Sequence, residues 1–461
     1  MTEQIETVII GGGQAGLALS YYLTQQGRTH LVLEQGRVGE TWRCGRWDSF
    51  TLNTPNCMTQ LPGFPYQGDD PDGFLQREDI VTYLESYAAS FNAPFQCGVR
   101  VSSVRQQPGD ESYLVESEQM TFEARNVILA TGAFPKPKLP KASAALPLDI
   151  CQMHTSEYRN PQMLPSGAVL VVGTGQSGCQ IAEDLYESGR QVYLSTSSCG
   201  RVPRRYRGRD TIWWLSRQGF FDKTLDQLPT PTAKFACNPH VSGNQGGHDI
   251  NLRQFARQGM ILLGHVQAVQ GKQIILAPDL EENLAKADAF AAQIMRAIDE
   301  YITKTGMEVE ANKTTPEAPS NGAPSPKAIL TLDLQSAGIS TIIWASGYKL
   351  DFGWVQIPVF DEMGYPVHQR GVTACPGLYF LGLHWLYKRK SALLYGVGED
   401  AAFIASAVAD RGGTTGLPYE VPLTRGVQTW NRQTNHVVAI PGPSGTSPEV
   451  VRRVEMSPRA R

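Results

Sequence analysis

Two stretches of this chain carry residue types at spacings that do chemistry, and both are glycine turns able to hold phosphates. In the first, Val8-Ile9-Ile10 runs into Gly11-Gly12-Gly13-Gln14-Ala15-Gly16, a GxGxxG turn, and then into apolar residues at helical spacing. In a strand–turn–helix of this kind Gly11 allows the tight turn, Gly13 lets a pyrophosphate approach, and Gly16 lets the helix pack on the strand. Backbone N–H groups at the helix N-terminus, including those of Gln14 and Ala15, then face phosphate oxygens. A second strand, Thr29 to Glu34, ends in an acid 18 positions after Gly16 (34 − 16). That is the place for a carboxylate that grips two ribose hydroxyls.

The second turn is Gly173-Thr174-Gly175-Gln176-Ser177-Gly178, entered from the apolar run Ala168–Val172 and left through a helix beginning near Cys179. The same count from Gly178 reaches Thr196, so the next strand ends in Ser195-Thr196 with no acid. Arg201, Arg204, Arg205, Arg207 and Arg209 follow. A carboxylate would repel a 2′-phosphate, whereas hydroxyls and a guanidinium accept one. This turn is therefore expected to prefer NADPH to NADH, with Ser195, Thr196, Arg204 and Arg205 at the phosphate.

The elements around these turns are legible in outline. After Glu34, Gln35 to Arg43 reads as a glycine-containing loop beside the nucleotide, with Gln35, Gly39, Thr41, Trp42 and Arg43 in reach. The density of Pro and Gly from Leu52 to Tyr66 predicts an irregular ordered loop. Ile80, Tyr83, Leu84 and Tyr87 predict a helix over about 76–90, and Leu284, Ala287, Ala291, Ile294 and Ile298 another over 284–305. Asn126–Gly132 and Ile339–Gly347 are matching strand-to-Ala-(Thr/Ser)-Gly turns, suited to the two points where a chain crosses between nucleotide domains. Thr131, Gly132, Ser346 and Gly347 are expected there. A strand meets Gly382, and Gly396-Val397-Gly398-Glu399 opens a helix whose N-terminus suits a flavin ring oxygen that becomes negative on reduction. Trp213, Trp214, Phe220 and Phe221 are read as packing in preference to the lining of a substrate channel.

The bulk numbers suit this reading. A chain of 461 residues, 41% hydrophobic and 18% charged, builds two or three domains. A net charge of −3 announces no nucleic-acid partner. No apolar run is long enough for a transmembrane helix, and the first strand begins too near Met1 for a signal peptide. Eight cysteines without a CxxC or a metal-ligand spacing predict reduced thiols, a cytoplasmic location and no metal.

These motifs together resemble the class B flavoprotein monooxygenases: the flavin-containing monooxygenases and their YUCCA-type relatives. The resemblance spans roughly residues 5–410. It rests on GGGQAG with Glu34, Gly39-x-x-Trp42-Arg43, the Pro-rich loop followed by Tyr83–Ala88, GTGQSG, Trp344–Tyr348 and the glycine-rich start of the last helix. It is closest to a bacterial branch linked by name to potassium transport. His154 and Tyr158 stand at the spacing of the family's linker signature FxGxxxHxxx(Y/F), whereas Leu148 and Ile150 replace its Phe and Gly.

The resemblance implies an α/β fold of two Rossmann-like domains, an FAD domain interrupted by an NADPH domain. The expected segments are 1–150, the first part of the FAD domain; 160–335, the NADPH domain with a helical insertion and a linker at 311–327; 336–438, the second part; and 439–461, a frayed tail. It implies that NADPH reduces FAD, that dioxygen forms a C(4a)-hydroperoxide, and that one oxygen passes to a small organic substrate, with N- or S-oxygenation favoured. By one-residue analogy with bacterial flavin-containing monooxygenases, Asn53 lies at the flavin's reactive edge. Two rivals remain: a disulfide reductase, for which Cys44 and Cys57 are 13 apart (57 − 44) in an unsuitable loop, and a redox-sensing flavoprotein linked to transport.

Overall fold

Short β-branched runs become buried parallel strands, and glycines fall where those strands must turn into helices. The computed structural model describes residues 2–109, 111–309 and 328–411, and the backbone of two short strands at Thr429–Asn431 and His436–Val438. In chain order, β1 (Thr2–Ile10) passes through the first glycine turn into α1 (Gln14–Gln25) and returns in β2 (His30–Glu34). The helix α2 (Arg77–Ser90) buries Ile80, Leu84 and Tyr87 and starts in a reciprocal cap between Gln76 and Asp79. Then come β3 (Phe95–Cys97), the hairpin β4 (Val101–Gln106) and β5 (Tyr113–Ser117), and the long β6 (Thr121–Leu129).

The chain then leaves this sheet through β7 (Lys136–Pro137) and enters a second one. That sheet is built from β8 (Cys151–His154), β9 (Ala168–Val172), α3 (Gln176–Glu187), β10 (Val192–Ser195) and β11 (Ile261–Leu263). A long helix, α4 (Leu280–Thr305), precedes its last strand, β12 (Ile339–Trp344). Through β13 (Tyr348–Lys349) the chain comes back, adds β14 (Leu378–Phe380) to the first sheet and closes with α5 (Val397–Arg411).

The first sheet has seven strands, ordered β3-β2-β1-β6-β5-β4, with β14 also on β6. The early half of β6 pairs antiparallel with β5 and its late half parallel with β14. The second sheet is wholly parallel, in the order β8-β12-β9-β10-β11. All five residues of β9 are buried, as a strand covered on both faces requires. One dinucleotide-type module is thus inserted into another. The two crossing segments run antiparallel, β7 against β13.

The expected boundaries need correction. β8 begins at Cys151 and β12 spans 339–344, and both are strands of the inserted sheet, so the return to the first module lies after Gly347 rather than at 336. The described part that holds both sheets ends with α5 at Arg411. The segment after it contains the antiparallel pair Thr429–Asn431 and His436–Val438. The linker expected at 311–327 and the tail at 439–461 lie outside the described residues. The insertion helix runs from Leu280 and buries the expected stripe of Leu284, Ala287, Ala291, Ile294 and Ile298. It packs with Trp214 and Phe221 in a separate apolar cluster.

Candidate active site

The two glycine turns are the same structure built twice. Gly11 N–H donates to Leu33 O at 2.8 Å and Gly173 N–H to Ser195 O at 3.0 Å. Gly11 has φ +113° and Gly173 φ +107°, a region open to glycine and strained for other residues. A Cβ on Gly11 would meet the Ala130 carbonyl at 2.5 Å, and one on Gly173 the Ala345 carbonyl at 2.7 Å. So each fingerprint leans on the alanine of its own Ala-(Thr/Ser)-Gly turn. At the third glycines the overlap is with backbone: a Cβ on Gly16 would lie 2.0 Å from Gly11 O, and one on Gly178 2.0 Å from Gly173 O. Neither α1 nor α3 has a side-chain N-cap or an acid in its first turn. Their leading N–H groups are therefore suited to a phosphate, and both sites fit a dinucleotide.

The turns differ at the ribose end. Register places Leu33 opposite Ile10 and Ser195 opposite Val172, so Glu34 and Thr196 are true counterparts. The Glu34 carboxylate accepts from Gly12 N–H at 2.7 Å and Gly36 N–H at 3.0 Å, which aims it across the turn beside the exposed Gln35. In the second module Ser197 does this work: its Oγ accepts from Thr174 N–H at 3.4 Å. Ser195 and Thr196 do not face outward as expected. Both are buried, and their hydroxyls donate to Gly264 O and Leu263 O, each at 2.9 Å.

Arg204 is a second correction. Its side chain is buried, pairs with Asp210 at 2.5 Å, and donates to Asn53 O at 2.9 Å. Burial works against both charges of this pair, lowering the Arg204 pKa and raising that of Asp210. It braces the hairpin and is not available for a 2′-phosphate. Arg201 and Arg207 are likewise paired, with Asp288 and Asp299. Arg205 is exposed, with Nη2 3.4 Å from the Gly246 carbonyl.

Around the first turn the sequence-expected residues do converge. Gly39 N–H donates to Gly12 O at 3.3 Å, which docks the following helix, Glu40–Cys44, against the fingerprint. That helix carries Thr41, Trp42 and Arg43. Trp42 Nε1 donates to Gln14 Oε1 at 3.1 Å, and Gln14 Nε2 donates to Ala392 O at 2.6 Å. Arg43 pairs with Glu85 on α2 at 2.6 Å. Gly382, at φ +78°, lets the end of β14 approach α1, since a Cβ there would lie 2.6 Å from that of Ala15. Glu399 is the third correction. Its carboxylate is held by Lys388 at 2.9 Å and by Lys390, and both lysines also reach Asp222. Burial pushes the Glu399 pKa up, but the two lysines outweigh it and hold it below the usual range.

Between the modules lies Asn53. Its Oδ1 accepts from Gln180 Nε2 at 3.1 Å and Gln176 Nε2 at 3.4 Å, so it joins the Pro-rich loop to the start of α3. His154 and Tyr158 are buried structural groups. His154 Nε2 lies 3.0 Å from Gly347 O, and Tyr158 OH donates to Asp184 at 2.5 Å. Ser346 Oγ donates to Lys138 O, while Gly132, at φ +80°, faces open space.

Two features carry no sequence signature. Arg46, desolvated so that its pKa falls, sits 5.3, 5.6 and 5.8 Å from the rings of Trp42, Phe50 and Phe134 and beside Tyr348, where both crossings meet. Cys199 and Cys237, far apart in the chain, meet at the second turn. Nothing in their spacing could have announced either. Among the described residues there is no cluster able to hold a metal ion and no helix long and apolar enough to cross a membrane.

Known proteins agree with this architecture. A family profile described as pyridine nucleotide-disulphide oxidoreductase matches residues 8–209. An uncharacterized CzcO-like oxidoreductase of Geobacillus kaustophilus is 33% identical over 414 residues, covering 88% of this chain and 99% of its own. The indole-3-pyruvate monooxygenase YUCCA1 of Oryza sativa subsp. japonica is 30% identical over 208 residues, covering 44% of this chain and 51% of its own. The flavin-containing monooxygenase of Stenotrophomonas maltophilia superposes with a TM-score of 0.61 at 18% identity, covering 89% of this chain and 99% of its own. FAD and NADPH are the cofactors this architecture supports, and each of the two turns fits a dinucleotide. The chain belongs to the CzcO-like oxidoreductases, and it is similar in part to flavin monooxygenases.

Proposed function

We propose that this enzyme uses NADPH and dioxygen to place one oxygen atom on a small organic substrate, N- or S-oxygenation being favoured. The observation that carries this reading is the duplication of the nucleotide turn on two nested sheets, with Asn53 reaching from one module to the start of the other's fingerprint helix. When bound, the flavin supplies hydride acceptance and oxygen activation. The chain's own residues bind, orient and keep water out. Glu34 addresses the adenosine ribose of FAD. The first-turn N–H groups of α1 and α3 take the two pyrophosphates, aided by Gln14 and Ser177. Asn53 offers a neutral amide, a donor that carries no charge and releases no stray proton. The absence of an acid at Thr196, with Ser197 and the exposed Arg205 nearby, supports NADPH over NADH.

One observation favours a thiol chemistry as a second reading: Cys199 and Cys237 are neighbours at the second turn. The experiment separates the two. Flavin-loaded enzyme is given NADPH in air with a thioether or a tertiary amine, and separately with a low-molecular-weight disulfide. Oxygenated product accompanied by NADPH loss supports the oxygenase. NADPH loss that needs the disulfide and yields free thiol supports the reductase.

A further inference from the structure

The second glycine of each fingerprint is where a pyrophosphate must come close, and the two differ sharply there. A Cβ built on Gly13 meets nothing within 4 Å, whereas one on Gly175 would lie 3.3 Å from Cys237 Sγ. The Cys237 sulfur also faces the backbone N–H of Gln176, the first residue of α3 and one of the donors a phosphate would use. The Cys199 thiol lies beside it.

The surrounding segment is fastened to the turn. Gln176 Oε1 accepts from Val241 N–H at 3.2 Å and Gln176 Nε2 donates to Val241 O. His240 is bound to Thr174 O. The loop that carries Cys199 runs beside it, with His240 N–H donating to Gly200 O at 2.8 Å and Cys199 Sγ to Asn238 O at 3.1 Å. Two backbone segments thus hold the two sulfurs together. Cys237 itself belongs to an exposed residue, and Cys199 is buried behind it.

We propose that Cys237 and Cys199 form a peroxide-reactive dithiol at the mouth of the second nucleotide site, and that their disulfide shuts that site to NADPH. This rests on the reading that the second turn takes the NADPH pyrophosphate. The neighbouring Cys199 thiol and Gln176 N–H outweigh burial and bring the Cys237 thiol down to about 7, so thiolate is present at neutral pH. The oxidant is a hydroperoxide such as hydrogen peroxide, the by-product of an oxygenase that fails to transfer oxygen. The Cys237 thiolate attacks one peroxide oxygen. An S–O bond forms, the O–O bond breaks and hydroxide leaves to become water. Cys199 then gives up its proton and attacks the Cys237 sulfur, so that an S–S bond forms, the S–O bond breaks and a second water leaves. Two thiols lose two electrons and the peroxide gains them. The disulfide ties Cys237 in place over Gly175 at the approach to the turn. NADP in the turn hides Cys237 from the oxidant.

The test uses FAD-loaded enzyme treated anaerobically with hydrogen peroxide, with and without saturating NADP, then alkylated and digested. The proposal expects a linked Cys199–Cys237 peptide that NADP suppresses. Reduction of the flavin by NADPH is lost in proportion to the link and recovers with a dithiol reductant. In Cys237→Ser the peroxide leaves the reduction rate where it was before treatment, and in Cys199→Ser Cys237 is found as sulfenic or sulfinic acid. A linked peptide that leaves the reduction rate unchanged, links only through the exposed Cys44 or Cys97, or an equal loss of rate in Cys237→Ser would each overturn it. If untreated enzyme is not reduced by NADPH at all, the proposed function fails by itself, and the linked peptide still decides the thiol pair.

Discussion

Replacing Asn53 with alanine removes a side-chain acceptor that reaches from the Pro-rich loop to the start of α3. Two hydrogen bonds go with it, from Gln180 Nε2 at 3.1 Å and Gln176 Nε2 at 3.4 Å. Gln180 is buried, so its amide loses a partner inside the protein. A buried donor left unpaired costs about 1–3 kcal/mol, and the longer bond adds little. The change should therefore lower unfolding stability by about 1–3 kcal/mol in urea. Asn53→Asp, which keeps an acceptor in place, should recover part of that. The same protein, assayed for product and hydrogen peroxide per NADPH consumed, should oxidise NADPH with less product and more peroxide. A stability loss together with an unchanged product ratio would leave Asn53 as a brace and remove it from the active edge. No change in either would refute the reasoning altogether.

Three other outcomes follow from the geometry. Glu34→Ala should weaken FAD retention by up to about 3 kcal/mol for each charge-assisted hydrogen bond lost, read as FAD released on dilution. Arg205→Ala should narrow the preference for NADPH in anaerobic flavin reduction, whereas Arg204→Ala should leave Asp210 buried and unpaired and cost about 3–5 kcal/mol of stability, read by denaturant melts. Acid should destabilise the fold. Burial holds His30, His154, His240 and His384 below their usual pKa and His368 at about 4. The unfolded chain then binds more protons as pH falls below about 6.5, so stability declines from there, with His368 adding up to about 2 kcal/mol by pH 5. His248 opposes this trend. Its hydrogen bond to Glu183 raises its pKa, so its contribution is full below about 6.5 and is lost as pH rises through the folded value. Melting temperatures at pH 7 and pH 5 check the net sign.

What could be read from the chain is what is local. The glycine turns, the acid at Glu34, its missing counterpart at Thr196 and the apolar stripe of α4 each depend on residues within a few turns of one another. The matching Ala-(Thr/Ser)-Gly turns were legible for the same reason, and the structure explains them: each alanine carbonyl closes on the first glycine of a fingerprint. Partner choice was not legible. Five arginines in nine residues give no sign that Arg204 meets Asp210 across a hairpin while Arg205 stays exposed. The acid at the head of α5 gives no sign that two lysines from the preceding loop neutralise it. The module boundary was misplaced because β12 reads as an ordinary strand, and only pairing reveals its sheet. Arg46 among its aromatic rings and the Cys199–Cys237 pair depend wholly on the way distant segments fold together.

The most direct measurement is single-turnover oxygenation. Flavin on the purified enzyme is reduced anaerobically with NADPH, and isotopically labelled dioxygen is then admitted together with a panel of thioethers and amines. The flavin is expected to bleach with NADPH much faster than with NADH, and one labelled oxygen atom is expected in an N- or S-oxide. Reoxidation that returns all the oxygen as peroxide or water with every compound, or flavin that NADPH does not reduce, would contradict that expectation.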